Sequence, residues 1–398
     1  MSKTVLGING GSPARKKFLP YGHQWIDEDD IKAVADVLRS DWITQGQKVT
    51  EFEELVAAYC NVKYAVAFSS GTAALHGAVY ASGISNGDEV ITTPVTFVAD
   101  GNCVLFMGGS VIFADVKSDT YNIDPEKILE KITKRTKAIV SVDYTGQPCD
   151  IDRINTIAEE HNLVVIQDAA HSIGSMFKGK RIGSLSDMTV FSFHPVKAIT
   201  TGEGGMVTTN NSEYYEKLIR FRDHGIVRGD DWHYEMRTLG YNYRITDFQC
   251  ALGISQFKKL ESFIERRRRI SKIYNEAFAS IPELVTPYEK KDVRSAYHLY
   301  MIQLNLDKLS VDRKKIFEAI RAENIGVHVH YIPLHLQPCY QETFGYKKGD
   351  FPVAEGYYER ALTLPVFPRM NDADVADVIS SVKKVIEHYR VEGGFVNE

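Results

Sequence analysis

The sequence predicts an α/β protein: a largely parallel sheet covered by helices on both faces, followed by a smaller α+β domain. Three observations carry that prediction. From about residue 50 helical and strand-like segments alternate. The strand candidates are short, unbroken β-branched runs, as expected of strands covered on both faces. Past the long helical stretch that starts near Thr246, the alternation gives way to a different order of elements.

TEFEELVAAYC reads as a helix and KYAVAF as the first strand. GTAALHGAVYAS then gives a helix and DEVITT a strand, and the pattern repeats with FVADGNCVLFMG and SVIFAD, DPEKILEKIT and KAIVSV, IDRINTIAEEH and LVVIQ. Another strand runs through FSF, and ITDFQCALGISQFKKLESFIERRRRISKIYNEAF reads as one long amphipathic helix. Beyond it AYHLYMIQLNL and VHVHY look like strands, and the segments from Val311 and Asp372 like helices. The expected organisation is an N-terminal arm over residues 1–20, a large α/β domain over 21–260 and a small α+β domain over 261–398. The Gly/Pro/basic opening GINGGSPARKK is the one stretch expected to be poorly structured.

At 398 residues there is chain enough for two cores, and a net charge of -5 argues against nucleic acid or an anionic membrane as the main partner. No segment reads as a signal peptide or a bilayer span. Five scattered cysteines with no CxxC pair fit reduced thiols in a cytoplasm better than a disulfide framework or a zinc knuckle. The tetrad Arg266–Arg269 reads as a solvated helix face, because consecutive helical residues spread around the axis and Glu261 and Glu265 stand nearby.

Ligands of open α/β sheets collect at the carboxyl ends of strands. Three features fall there. SSGTAAL puts Gly71 and Thr72 at a helix start, where free N–H groups and the dipole favour a phosphate, although the same letters make a plain cap. Asp168 follows LVVIQ, where a carboxylate needs a cation such as a protonated pyridine nitrogen, or else backbone donors. Lys197 follows the strand through FSF, between Val196 and Ala198. There it is either a solvated turn lysine or an amine that forms a Schiff base. Neither GxxxxGK[ST] nor GxGxxG after a strand is present. Phosphate loop, pyridinium carboxylate and Schiff-base lysine, in that order, are the handles that pyridoxal phosphate requires, and Ser192 stands close enough to Lys197 to reach the same phosphate.

SSGTAAL, PVTFVAD, QDAAHSIGS, FSFHPVKAITTGEGG, RDHGI, LGYNYRITDFQCALG and GVHVHYIPLH together resemble the DegT/DnrJ-type sugar aminotransferases, fold type I pyridoxal phosphate enzymes. The resemblance runs from about Tyr21 to the C-terminus. It implies that Lys197 bonds to the cofactor and that Asp168 pairs with its pyridine nitrogen. Phe97 would stack on the ring, His171 would lie near the phenolic oxygen, and Thr72, Ala73 and Ser192 would hold the phosphate. Asn242 would reach the phosphate of a neighbouring subunit's cofactor, which implies a homodimer. Tyr21, the run Asp41, Trp42, Ile43, Thr44 and the run His328, Val329, His330, Tyr331 would line the sugar-nucleotide site. HPVK followed by ITTGEGG, with the opening YGHQWID…SDWITQG, is most similar to members that pass the amino group of L-glutamate to a UDP-2-acetamido-2,6-dideoxy-hexos-4-ulose.

Residues 1–17 lie outside that pattern and look like the opening of members that aminate cyclitols or other nucleotide sugars. Alternative substrates are therefore a dTDP- or GDP-4-ketohexose, a UDP-pentose or a ketocyclitol. The rival of another class is a non-catalytic sugar-nucleotide sensor on the same fold. His328 and His330 share a strand face and form half a metal site, but no third ligand stands at a suggestive spacing, so no metal is expected.

Overall fold

A computed structural model of the chain describes residues 5–391. Its centre is a seven-stranded sheet formed by β1 (Tyr64–Phe68), β2 (Glu89–Thr92), β3 (Ser110–Phe113), β4 (Thr136–Val142), β5 (Val164–Asp168), β6 (Met188–Ser192) and β7 (Gly205–Thr209). The spatial order is β1-β7-β6-β5-β4-β2-β3, parallel throughout except that β7 runs antiparallel to both its neighbours. The unbroken apolar runs divide by alternation. Ala65, Ile91, Ile139, Val165 and Phe191 enter one core, while Val66, Val90, Val140, Ile166 and Val190 enter the core on the opposite face. Both faces are therefore dry, and the helices between strands supply the cover.

Helices α1 (Glu28–Leu38), α2 (Gln47–Cys60), α3 (Gly71–Ala81) and α4 (Val98–Phe106) precede or alternate with the first strands. The stretch from Thr246 is two helices, Asp247–Phe257 and Leu260–Phe278, not one. At the break the Lys259 ammonium turns back to the Asp27 and Asp30 carboxylates, 2.7 Å from each, where α1 begins. The first of the two helices stays on the large core and the second enters a separate core with Tyr300, Ile316 and Val378.

That smaller core surrounds an antiparallel sheet of Leu284–Val285, Tyr300–Leu304 and Ala361–Leu364, with helices Arg313–Ala322 and Asp372–Tyr389 packed on it. AYHLYMIQLNL is strand only over Tyr300–Leu304, because Ala296 and Leu299 donate their N–H groups to Gly146 and Thr145 of the large domain. VHVHY is not a strand. It makes one isolated bridge, His328 to Thr363; His330 bonds Thr363 and Val329 packs on the small core, while Tyr331 reaches His171 of the large domain.

The opening segment is also more ordered than expected from residue 5 onward. Leu6 is buried in the small core, and the Glu323 carboxylate accepts the Gly7 and Ala14 N–H groups at 2.8 Å. Arg15 is fixed between Asp374 and Asp377. Burial of one leucine and a shared carboxylate offset the Gly/Pro content that favoured disorder.

Candidate active site

Asp168 ends β5, buried, with one carboxylate oxygen accepting the Ala170 N–H at 2.9 Å. β6 ends at Ser192 beside it, and Lys197 lies in the turn that follows, its N–H bonded to the His194 carbonyl. The two polar residues of the sequence argument are thus on adjacent strand ends, close enough for their charges to interact. Burial pushes the half-buried Lys197 amine down to about 8, against the pull of the Asp168–Asp100 carboxyl pair, and the charge of Arg267 adds to the push.

The start of α3 faces the same point. Ser70 caps it by accepting the Ala73 N–H at 3.1 Å. A Cβ on Gly71 would stand 2.9 Å from the Ser192 Cβ and 3.0 Å from its Oγ. The glycine is what allows the helix N-terminus and the Ser192 hydroxyl to share one small cradle. Thr72 is exposed there and Ala73 buried.

A wall of rings stands opposite. The rings of His171 and His298 are 4.3 Å apart, and Tyr331 Oη lies 3.3 Å from His171 Nε2. The rings of His328 and His330 are 4.6 Å apart, and Tyr21 lies 5.2 Å from each. His330 Nδ1 meets Thr363 Oγ1 at 2.8 Å. Burial holds His171 and His298 well below the usual histidine range and lowers His330 to about 3, so these imidazoles are neutral. His171 Nδ1 and His298 Nδ1 are buried without a partner among the described residues. Phe97, the residue before α4, is exposed, with its ring 6.0 Å from Tyr331.

Asp41, Trp42, Ile43 and Thr44 are exposed in the α1–α2 loop, where Ile43 accepts the Asp247 N–H and Thr44 bridges to Thr246. Asp41 and Trp42 help to line a groove of about 1150 Å³ whose walls include neither Lys197 nor Asp168. Asn242 is exposed, bridged to Asp223.

Three residues without a sequence-assigned role belong to the site. Asp100 lies three places beyond Phe97, one turn into α4, and its spacing from Phe97 would have found it. His298 carried no signal, since its segment reads as strand. Arg267 was expected to be solvated but is fully buried, donating to the carbonyls of His298 at 3.1 Å, Val366 at 2.6 Å and Lys197 at 3.5 Å. Of its neighbours only Arg269 is exposed; Arg266 and Arg268 are half-buried, pairing with Asp372 and Glu289 and donating to the carbonyls of Met370 and Ser295. One position in four points inward at Lys197.

The sequence profile of the DegT/DnrJ/EryC1/StrS aminotransferase family matches residues 24–383. The chain belongs to that family. It is 43% identical over 382 residues to the spore coat polysaccharide biosynthesis protein SpsC of Bacillus subtilis, covering 94% of this chain and 98% of that one. It is 39% identical to the UDP-4-amino-4,6-dideoxy-N-acetyl-beta-L-altrosamine transaminase of Campylobacter jejuni, over 95% of this chain and 99% of its relative. The structure of Helicobacter pylori PseC, an aminotransferase involved in the biosynthesis of pseudoaminic acid, superimposes with a TM-score of 0.89 at 35% identity, over 94% of this chain and 100% of PseC. A sugar aminotransferase of Streptococcus pneumoniae in its pyridoxal phosphate form matches at 0.89 and 30% identity, over 93% and 99% of the two chains. The protein is therefore a pyridoxal-phosphate-dependent sugar aminotransferase of fold type I. The residues present suit the cofactor: an amine of lowered basicity, a buried carboxylate on the next strand end, and a cradle that a Cβ would fill.

Proposed function

We propose that this aminotransferase moves the amino group of L-glutamate to the 4-keto group of a UDP-2-acetamido-2,6-dideoxy-hexos-4-ulose, giving UDP-4-amino-4,6-dideoxy-N-acetyl-β-L-altrosamine. The observation that carries the chemistry is Lys197, an amine pushed down to about 8 beside Asp168. The likeness to the Campylobacter jejuni transaminase supports the choice of sugar.

When bound, pyridoxal phosphate supplies an electron sink conjugated to the reacting carbon. Lys197 would hold the cofactor through its amine. That amine, when free, takes a proton from the amino-acid α-carbon and, in the second half of the cycle, delivers one to C4 of the sugar. Asp168 would keep the pyridine nitrogen protonated. Thr72, Ala73 and Ser192 would hold the phosphate, Phe97 would cover the ring, and the neutral His171 would stand near the phenolic oxygen. Tyr21 and the run His328–Tyr331 form the wall that meets the sugar, and Asp41–Thr44 extend the nucleotide site. Asn242 reaches the phosphate site of a second copy in a homodimer. Five free thiols suit a reducing cytoplasm, and no described helix is long and apolar enough to cross a membrane.

A second reading is a different nucleotide ketosugar, favoured by the higher identity to SpsC. One experiment decides between them: the pyridoxamine form is offered UDP-, dTDP- and GDP-linked 4-ketosugars, and the aminated product is identified by NMR. Amination of the UDP-N-acetyl sugar alone is expected. Preference for another nucleotide overturns the substrate. The chemistry is tested separately by Lys197→Ala, which should cut transfer at least about a thousandfold; a variant retaining transfer removes the role of Lys197.

A further inference from the structure

Asp168 is not the only carboxylate at the end of β5. Asp100, on the first turn of α4, is 1% exposed and faces it. One Asp100 oxygen accepts the Thr96 hydroxyl at 2.5 Å; the other is buried and has no donor among the described residues. The side chains of Asp100 and Asp168 lie within hydrogen-bonding reach of each other, and the Asp168 Oδ1 is satisfied by the Ala170 N–H. Two buried carboxylates in hydrogen-bond contact cannot both be ionised without a cation between them, so one holds a proton. Which one follows from the surroundings. Asp168 has a backbone donor and the nearby Lys197 amine to favour its charge, whereas Asp100 has a single hydroxyl donor. The other titratable groups that face Asp100 are Lys197, Cys103 on its own helix, and Tyr331 and Tyr340 from the chain beyond Val327, the last three raised by burial and uncharged. Lys197 is the one positive charge among them, and it acts more strongly on Asp168 than on Asp100.

We infer that Asp100 is a positioning residue: it remains a neutral acid and donates its proton as a hydrogen bond to the Asp168 carboxylate. The bond fixes the rotamer of Asp168 and leaves the negative charge on Asp168, where the cofactor's pyridine nitrogen would need it. Burial acts in the same direction, holding Asp100 well above the ordinary carboxylate range. The consequence for the cofactor rests on the reading of Asp168 given above; the location of the proton does not.

Asp100→Asn reproduces the neutral donor and acceptor in the same shape, whereas Asp100→Ala leaves Asp168 without its donor. In the infrared spectrum of cofactor-free protein at neutral pH, the carbonyl stretch of a protonated carboxylic acid is expected in the parent and absent from Asp100→Asn. In equilibrium dialysis, Asp100→Asn should bind pyridoxal phosphate within about threefold of the parent and Asp100→Ala at least about tenfold more weakly. Absence of the band from the parent, or its persistence in Asp100→Asn, overturns the inference. Equal weakening by the Asn and Ala variants overturns the positioning role, and if the Ala variant fails to fold, a large loss in the Asn variant does the same. Asp168→Asn separates the two readings: unchanged affinity and visible spectrum in that variant would remove the pyridine contact.

Discussion

In its proposed role Lys197 reacts through its neutral amine, and the structure shows what lowers its basicity. Burial of the half-buried ammonium lowers it, the Asp168–Asp100 carboxyl pair opposes that, and the guanidinium of Arg267 stands behind the lysine carbonyl with only carbonyl oxygens for partners. An uncompensated buried cation repels a second one nearby. Burial also lowers Arg267, to about 10, which leaves it charged at neutral pH. Below about 8 the Lys197 ammonium predominates and cannot attack a carbonyl; above it the amine does. Reductive alkylation of cofactor-free protein with a small aldehyde and borohydride, read by mass spectrometry at Lys197, should therefore rise with a midpoint near 8. Arg267→Met removes the repulsion and should move the midpoint upward. A midpoint near the ordinary lysine value in the parent, or a downward move in Arg267→Met, contradicts this account.

At the scale of elements, the cradle depends on how closely α3 approaches the end of β6. Alanine is normally the better helix former by about 1 kcal/mol, but at Gly71 its Cβ would stand 2.9 Å from that of Ser192. The strain of forcing it in is about 1–3 kcal/mol, so it outweighs the propensity. Gly71→Ala should thus weaken binding of pyridoxal phosphate by at least about tenfold, measured by dialysis, with retained secondary structure by circular dichroism. The parallel strands were legible because continuous Val/Ile runs between helical periods have few alternatives. VHVHY was not, because an alternating polar–apolar pattern predicts a half-buried strand, and here tertiary contacts of His328 and Tyr331 override the local preference. The split at Lys258 and Lys259 was hidden for a related reason: the pattern stays helical across it, and the partners of Lys259 there, Asp27 and Asp30, are more than two hundred residues earlier. In the site, strand-end position and residue type revealed Lys197 and Asp168. Asp100, His298 and Arg267 act through neighbours distant in sequence, which no local pattern records.

At the scale of the whole molecule, the single chain leaves a group of large apolar side chains uncovered on one segment. Trp232, Tyr234 and Met236 project from a two-stranded ribbon (Ile226–Arg228 with Tyr234–Met236), with relative exposures of 86%, 61% and 67%, and Leu239 follows at 69%. Asn242 lies just beyond, exposed on the same segment. Large exposed apolar clusters on a folded chain mark surfaces that another chain covers, and a second copy related by a two-fold axis is the simplest cover. If Asn242 serves the neighbour's site, a dimer site is built from Lys197 of one copy and Asn242 of the other. That arrangement has a consequence no single-chain site can have. Lys197→Ala and Asn242→Ala proteins, each nearly inactive alone, should regain activity when unfolded together and refolded as a mixture. Random pairing makes half the dimers mixed, and each mixed dimer contains one site with both residues intact, so recovery should approach roughly a quarter of the parent's activity. If Asn242 instead acted within its own chain, every mixed dimer would carry two damaged sites and the mixture would stay as inactive as its components.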